Sequence, residues 1–112
     1  MRVGKGEMRS YDEKLPLKYG LVGQETCGPG GFSYGLRSLG AMKQMVEKVR
    51  SYSSETWILN YTNPAAIVAL GLDRMFPDDK RILNLCDQPY SMMKSFAKIL
   101  GVPQETLRAR YF

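Results

Sequence analysis

Two short apolar runs, each followed by polar residues and then by a helical pattern, constrain the fold of this chain most strongly. Residues 56–59 and 82–86 are rich in the aliphatic, aromatic and β-branched side chains that are typical of buried strands. Residues 36–49 carry apolar side chains at steps of three and four, which predicts an amphipathic helix. Because strands and helices alternate, we predict an α/β fold with a mostly parallel sheet and helices on both of its faces.

Local signals predict where the remaining elements begin and end. Asn63 is expected to cap a helix that has Pro64 at its first position, and residues 91–100 should form a helix closed by Gly101. Residues 1–5 and 107–112 are possible further strands, and Pro16 is expected to interrupt the charged stretch 11–18. Residues 23–31, with four glycines and a proline, are expected to form a loop.

Length and composition limit the class of protein. A chain of 112 residues fits one domain, and 44% hydrophobic against 24% charged residues excludes a disordered segment. The net charge of +5 is spread along the chain rather than clustered, so we do not expect nucleic acid as a partner. Without a long apolar run or a leader-like start, we predict a soluble, cytoplasmic protein with no membrane contact.

The cysteine and histidine content restricts metal and disulfide chemistry. The chain has two cysteines without CxxC spacing and no histidine. Neither a disulfide scaffold nor a complete zinc site can be built from that set.

The carboxyl ends of the two predicted strands are the first candidate site, because ligands of parallel α/β sheets bind there. Cys86 and Asp87 place a soft thiolate beside a carboxylate, which suits a divalent metal and proton transfer at one substrate. Alternatively, Cys86 is a small core residue and Asp87 a helix cap. Asn63 is either a ligand contact at the start of a helix or a plain N-cap.

The glycine-rich stretch 23–31 is the second candidate. Glycines let the backbone approach a ligand closely, and Gln24 or Glu25 can hold the hydroxyl groups of a polar substrate such as a sugar. A surface loop that enters the next helix is the alternative. No Gly-Lys-Ser/Thr follows, so the stretch is not a phosphate-binding P-loop. Arg9 is either an anion-binding residue or a solvated charge.

Four stretches in order resemble glycoside hydrolase family 4, in particular its 6-phospho-α-glucosidases. They are residues 2–5 with Met8 and Arg9, then 22–31 (VGQETCGPGG), 59–66 (LNYTNPAA) and 82–89 (ILNLCDQP). The resemblance implies the later part of a Rossmann-like NAD-binding domain, a phosphorylated disaccharide substrate, and NAD with Mn²⁺ or another divalent metal as cofactors. It also implies a route of oxidation and elimination: hydride moves from C3 of the sugar to NAD and later returns, and a base removes the C2 proton.

The same resemblance assigns roles to particular residues. Cys86 resembles the thiolate ligand of the metal and Asp87 the acid that assists the leaving group. Arg9 and Asn63 resemble substrate contacts, and Glu25 resembles a carboxylate near the substrate. The Cys-Asp pair is similar to that of members acting on α-linked phosphorylated glucosides such as maltose 6-phosphate, although glutamine follows it here where methionine is common.

The resemblance also implies that parts of the site lie outside this chain. The family's glycine-rich dinucleotide fingerprint should precede residue 1, and its histidine ligand and tyrosine base should follow residue 112. We therefore expect residues 1–112 to be one partial α/β domain, an internal fragment of a homo-oligomeric enzyme, that is inactive alone and prone to associate through an uncovered sheet edge. A non-catalytic truncated remnant and a relative of the 2-hydroxy-acid dehydrogenases are the alternatives.

Overall fold

A computed structural model describes residues 6–110, and this part of the chain is mostly helical with a small parallel sheet. Its elements, in chain order, are α1 (Gly6–Leu17), α2 (Gly28–Tyr52), β1 (Ile58–Asn60), α3 (Ala65–Met75), β2 (Ile82–Asn84), α4 (Gln88–Leu100) and a 3-10 turn (Gln104–Thr106). The mixed α/β class and the alternation of strand and helix from β1 onward agree with the prediction.

The sheet consists of β1 and β2, which pair in parallel with Ile58 opposite Ile82 and Asn60 opposite Asn84. Helix α3 connects them, so β1, α3 and β2 form a βαβ unit. The predicted parallel pairing is confirmed. The prediction that both strands are buried is wrong, since Leu59 is 63% and Leu83 is 43% exposed. Among residues 6–110 each strand pairs only with the other, so the outer edge of each strand has no neighbouring strand.

The core lies where α2 and α3 pack on each other. Met42 and Val46 of α2 contact Val68 and Leu72 of α3, and all four are buried. Ile58 and Ile82, one from each strand, pack against this cluster together with Met75 and Phe76. Burying side chains of this size stabilises a fold by about 1.5 to 3 kcal/mol each, so this cluster ties the βαβ unit to α2.

Helix α1 is held against α2 by a buried charge pair. Arg37 of α2 donates to both oxygens of Asp12, which is 8% exposed, and to Ser33 Oγ at 2.7 Å. Pro16 does not interrupt this segment as predicted, because it lies in the last turn of α1. There its missing N–H removes only the helical bond to the Asp12 carbonyl, and that carbonyl instead faces Gly30.

Three further boundaries differ from the prediction. Pro64, not Asn63, is the N-cap of α3, because the Pro64 carbonyl accepts the first helical bond from Val68 at 3.0 Å. The glycine-rich stretch is a loop only as far as Cys27, since α2 begins at Gly28. Residues 107–110 contain no strand, and residues 1–5 and 111–112 lie outside the described part. The closure of α4 by Gly101, at φ 66°, is confirmed.

The described part of the chain is more extended than a compact domain of its length. Its Cα radius of gyration is 17.1 Å, against about 13 Å for a compact domain of this length. Many large apolar side chains are exposed, including Trp57 at 57% and Phe96 at 48%. No helix within residues 6–110 combines the length and the apolar character that a bilayer-spanning segment needs.

Candidate functional site

A cleft of about 450 Å³ opens at the carboxyl ends of β1 and β2. Tyr61 and Asn63 follow β1 into the cleft, and Cys86 and Asp87 follow β2. The remaining lining residues are Gln24, Thr26, Pro64, Ala65, Ala66, Ile67, Leu85 and Gln88. The expected common rim of the two strand ends is therefore present, and residues of the glycine-rich loop border it.

Asn60 fastens the two strand ends together below the cleft. Its side-chain Nδ2 donates to Asn84 Oδ1 at 2.7 Å, and its backbone carbonyl accepts from the Leu85 N–H at 2.8 Å. Its Oδ1 accepts from the Thr62 N–H at 3.1 Å, which starts the turn that leads to Asn63. Asn60 is 4% exposed, and its amide group is satisfied on both sides. The spacing between the two tips is thus set by a buried amide.

Asp87 occupies the N-cap position of α4 without using its side chain as a cap. Its carbonyl accepts from the Ser91 N–H at 2.9 Å, and no capping hydrogen bond from the helix reaches its carboxylate. Tyr61 lines the same cleft as Asp87. The interaction of its hydroxyl with the Asp87 carboxylate, followed by desolvation and by the nearby charge of Cys86, raises the pKa of Tyr61.

The glycine-rich loop is fixed to α1 through Arg9. The Arg9 guanidinium pairs with Glu25 of the loop at 3.0 Å and with Glu13 of α1 at 2.5 Å. The hydrogen bond to Glu13 is the main reason that the pKa of Arg9 is raised. On either side of Glu25, Gln24 and Thr26 line the cleft and are joined by a hydrogen bond of 3.1 Å. Arg9 is therefore paired rather than merely solvated.

A metal ion at this cleft would find one soft donor in the described chain. Cys86 is an exposed free thiol at the rim, and thiolates are ligands for divalent transition metals. Residues 6–110 contain no group of three or more Cys, Asp or Glu side chains arranged to hold a metal. The thiol fits the expected ligand role.

Comparison with known proteins identifies the family. The sequence profile described as Family 4 glycosyl hydrolase matches residues 1–102. The chain belongs to this family. Among family 4 relatives, it is 51% identical over 112 residues to phospho-alpha-glucosidase PagL of Clostridium acetobutylicum and 50% identical over 113 residues to a maltose-6'-phosphate glucosidase of Bacillus subtilis. Each alignment covers the whole of this chain and only 25% of the relative. The chain therefore spans about a quarter of the length of these relatives.

Solved family 4 structures share the fold of the described chain. A 6-phospho-alpha-glucosidase from gut microorganisms, solved with NAD and Mn²⁺, matches with a TM-score of 0.89 and 54% identity, over 96% of this chain and 25% of its own. A second, solved with NAD and glucose-6-phosphate, matches with a TM-score of 0.85 and 46% identity, over 94% of this chain and 24% of its own. The relatedness expected from the four sequence stretches is confirmed.

The predicted site residues fall into two groups in the structure. Asn63, Cys86 and Asp87 line one cleft, whereas Glu25, in the loop that borders the cleft, pairs with Arg9 of α1. Tyr61 also lines the cleft but was not singled out from the sequence. Its position at a strand's carboxyl end was the signal that could have singled it out.

Proposed function

We propose that this chain is an internal segment of an NAD- and manganese-dependent 6-phospho-α-glucosidase, and that it forms the later part of a Rossmann-like NAD-binding domain with helices on both faces of the completed sheet. The substrate is a phosphorylated disaccharide, and the assembled enzyme is a homo-oligomer. The observation that carries the proposal is the meeting of Asn63, Cys86 and Asp87 in one cleft at the ends of two parallel strands.

Each side chain has a role in this proposal. Asn63 donates or accepts hydrogen bonds with the sugar hydroxyls, and Cys86 supplies one ligand of the divalent cation. Asp87 delivers a proton to the departing glycosidic oxygen. When bound, NAD accepts a hydride reversibly and the cation polarises a sugar oxygen, which makes the neighbouring carbon-bound proton acidic.

Arg9 and Glu25 act on the substrate side of the glycine-rich loop. Their ion pair joins α1 to this loop, so a negatively charged sugar phosphate that approaches Arg9 competes with Glu25 for the guanidinium. We propose that Arg9 contacts the substrate. Glu25 stays close to the substrate because its loop neighbours, Gln24 and Thr26, line the cleft. A guanidinium suits this task because its planar donors match phosphate oxygens.

A chimera tests the proposal. This chain replaces the matching quarter of phospho-alpha-glucosidase PagL, to which it aligns over 112 residues. The chimera should cleave a chromogenic 6-phospho-α-glucoside in the presence of NAD and Mn²⁺, while the 112-residue chain alone should not. A folded chimera without turnover, in which circular dichroism and size-exclusion profiles match those of the parent enzyme, would contradict the proposal.

Variants of the chimera test the two roles at the end of β2. Asp87→Asn should lower kcat by about 10² to 10⁴, the usual contribution of a general acid. Asp78→Asn, which changes an exposed carboxyl group away from the cleft, is its control. Cys86→Ser should raise the Mn²⁺ concentration needed for half-maximal activity by at least about tenfold, a loss that even indirect partners of a metal cause. Cys27→Ser removes the other exposed thiol and should keep the manganese dependence of the parent chimera.

The alternatives predict different results in the same assay. A relative of the 2-hydroxy-acid dehydrogenases would accumulate NADH from a hydroxy acid, whereas the proposed glycosidase returns its hydride and accumulates none. A non-catalytic remnant would leave the chimera folded and inactive.

A further inference from the structure

Asn60, the last residue of β1, is hydrogen-bonded to the residues that lead into both halves of the candidate site. Its backbone carbonyl accepts from the Leu85 N–H at 2.8 Å, and Leu85 directly precedes Cys86. Its side-chain Oδ1 accepts from the Thr62 N–H at 3.1 Å, and Thr62 directly precedes Asn63. One residue therefore holds the chain immediately before the proposed metal ligand and immediately before the proposed substrate contact.

The side chain of Asn60 also joins the two strands. Its Nδ2 donates to Asn84 Oδ1 at 2.7 Å, and the two residues stand opposite each other in the parallel register. The amide is thus a donor toward β2 and an acceptor toward the turn that follows β1, and an amide side chain supplies both functions. An apolar side chain of the same size would leave the Asn84 oxygen and the Thr62 N–H without this partner.

The packing of the fold does not explain an asparagine at this position. Asn60 is 4% exposed, in the strand whose Ile58 packs on the apolar core. Asparagine is depleted in strands, where β-branched apolar residues are favoured, and burying an amide is costly unless its hydrogen bonds are made. Departures from local preference of this kind occur at functional sites. The asparagine therefore points to the site above it rather than to the core.

We infer that Asn60 is a positioning residue that fixes the distance and orientation between Asn63 and Cys86. This inference rests on the proposed function, in which Asn63 contacts the sugar and Cys86 the cation. Groups that act on one substrate must be held within about 0.5 Å of their working geometry, and a displacement of about 1 Å can cost about a hundredfold in rate. Asn60 restrains both strand ends from below and is not itself one of the residues that line the cleft.

Substitutions in the chimera test this role through Mn²⁺ binding, which electron paramagnetic resonance measures without turnover as the loss of the free Mn²⁺ signal. Asn60→Leu keeps the approximate size of the side chain and removes both of its hydrogen bonds. It should raise the Mn²⁺ dissociation constant by at least about tenfold, as the loss of indirect partners of a metal does, and lower kcat/KM by at least about tenfold. Asn84→Leu, at an exposed position, removes only the link between the strands and should cause a smaller loss of the same kind.

Two controls separate positioning from a general loss of stability. Asn84→Asp retains an oxygen that accepts from Asn60 and should keep the Mn²⁺ affinity and kcat/KM of the parent chimera. Ser38→Ala removes a different buried hydrogen bond, from the Ser38 hydroxyl to the Tyr34 carbonyl at 2.9 Å within α2, and should leave the Mn²⁺ affinity unchanged.

Three results would overturn the inference. One is a folded Asn60→Leu chimera that binds Mn²⁺ and turns over substrate like the parent. Another is a Ser38→Ala chimera that loses as much Mn²⁺ affinity as Asn60→Leu, because the loss would then follow from destabilisation alone. If Asn60→Leu does not fold, Asn84→Leu decides, and a Mn²⁺ affinity equal to that of the parent is the third result.

The failure of the inference and that of the proposed function can be distinguished. Unchanged Mn²⁺ affinity in Cys86→Ser would defeat the proposed ligand role, and hydrogen–deuterium exchange would still test Asn60. Asn60→Leu should speed deuterium uptake in peptides spanning residues 61–64 and 84–86, which lose their restraint, and leave uptake in α1 (Gly6–Leu17) unchanged. Uptake equal to that of the parent at both strand ends would overturn the inference even if the chimera proved inactive.

Discussion

Gly30 of α2 lies against the backbone of α1, and replacing it with alanine tests how tightly the two helices are fitted. A Cβ at this position would overlap the Asp12 carbonyl oxygen and would lie 2.8 Å from that of Gln24. Ordinary carbon–oxygen contacts are about 3.3 Å or longer, so the backbone must move by at least about 0.5 Å. The nearest atoms are backbone atoms, which cannot rotate away as a side chain would.

The expected cost follows from that displacement. Overpacking of this kind destabilises proteins by about 1 to 3 kcal/mol. Gly40→Ala provides the control, because Gly40 lies in the same helix and a Cβ added there would meet nothing within 4 Å. Alanine there should stabilise the helix by about 0.5 to 1 kcal/mol. The free energies of unfolding of the two variants should therefore differ by about 1.5 to 4 kcal/mol, centred near about 2 kcal/mol, with opposite signs relative to the parent.

Urea unfolding of the 112-residue chain, followed by circular dichroism, measures this difference. With a slope of about 1 to 3 kcal/mol per molar urea, a gap of about 2 kcal/mol separates the two midpoints by about 1 M. Measurements at two protein concentrations exclude a contribution from association. If Gly30→Ala unfolds at the same urea concentration as Gly40→Ala, or at a higher one, the close fit of α1 on α2 is refuted.

Three other outcomes are expected. In the same urea titration, Leu72→Ala, in the centre of the α2–α3 core, should lower the free energy of unfolding by about 2 to 5 kcal/mol. Its control is Leu70→Ala, at a position 55% exposed on the same helix, which should change the free energy of unfolding by no more than about 0.5 kcal/mol. A hydrogen bond from Arg50 lowers the pKa of Asp79, so this pair stabilises the fold above the unfolded-state pKa of about 3.9 and ceases to do so as pH falls through the folded value. Asp79→Asn should therefore unfold more readily than the parent at pH about 6, with a gap that shrinks below pH about 4; a constant gap would contradict the assignment. Unpaired strand edges and exposed apolar side chains should make the chain alone associate, and a monomer by static light scattering would count against this.

The features of the fold that depend on periodic or local patterns could be predicted from the sequence. The two apolar runs predicted strands, and the helical pattern between them indicated a parallel pair joined by a helix. Gly101 closed α4 as expected because the left-handed conformation there favours glycine. The common rim of the strand ends followed from the topology alone.

Features that depend on tertiary contacts could not be predicted. Pro16 is tolerated because it falls in the last turn of α1, where little of the helix remains to be broken. The pairing of Arg9 with Glu25 joins segments that no local pattern connects.

The amide link between Asn60 and Asn84 lies beneath the reactive side chains and involves none of them. The contacts that hold the two strand ends together are therefore distinct from the side chains that line the cleft. Under the proposed function, replacing residues 61–63 and 86–88 would change substrate recognition or proton delivery and would leave the side-chain link between Asn60 and Asn84 in place. Engineering that tests the proposed specificity can therefore concentrate on these two segments and keep the strands unchanged.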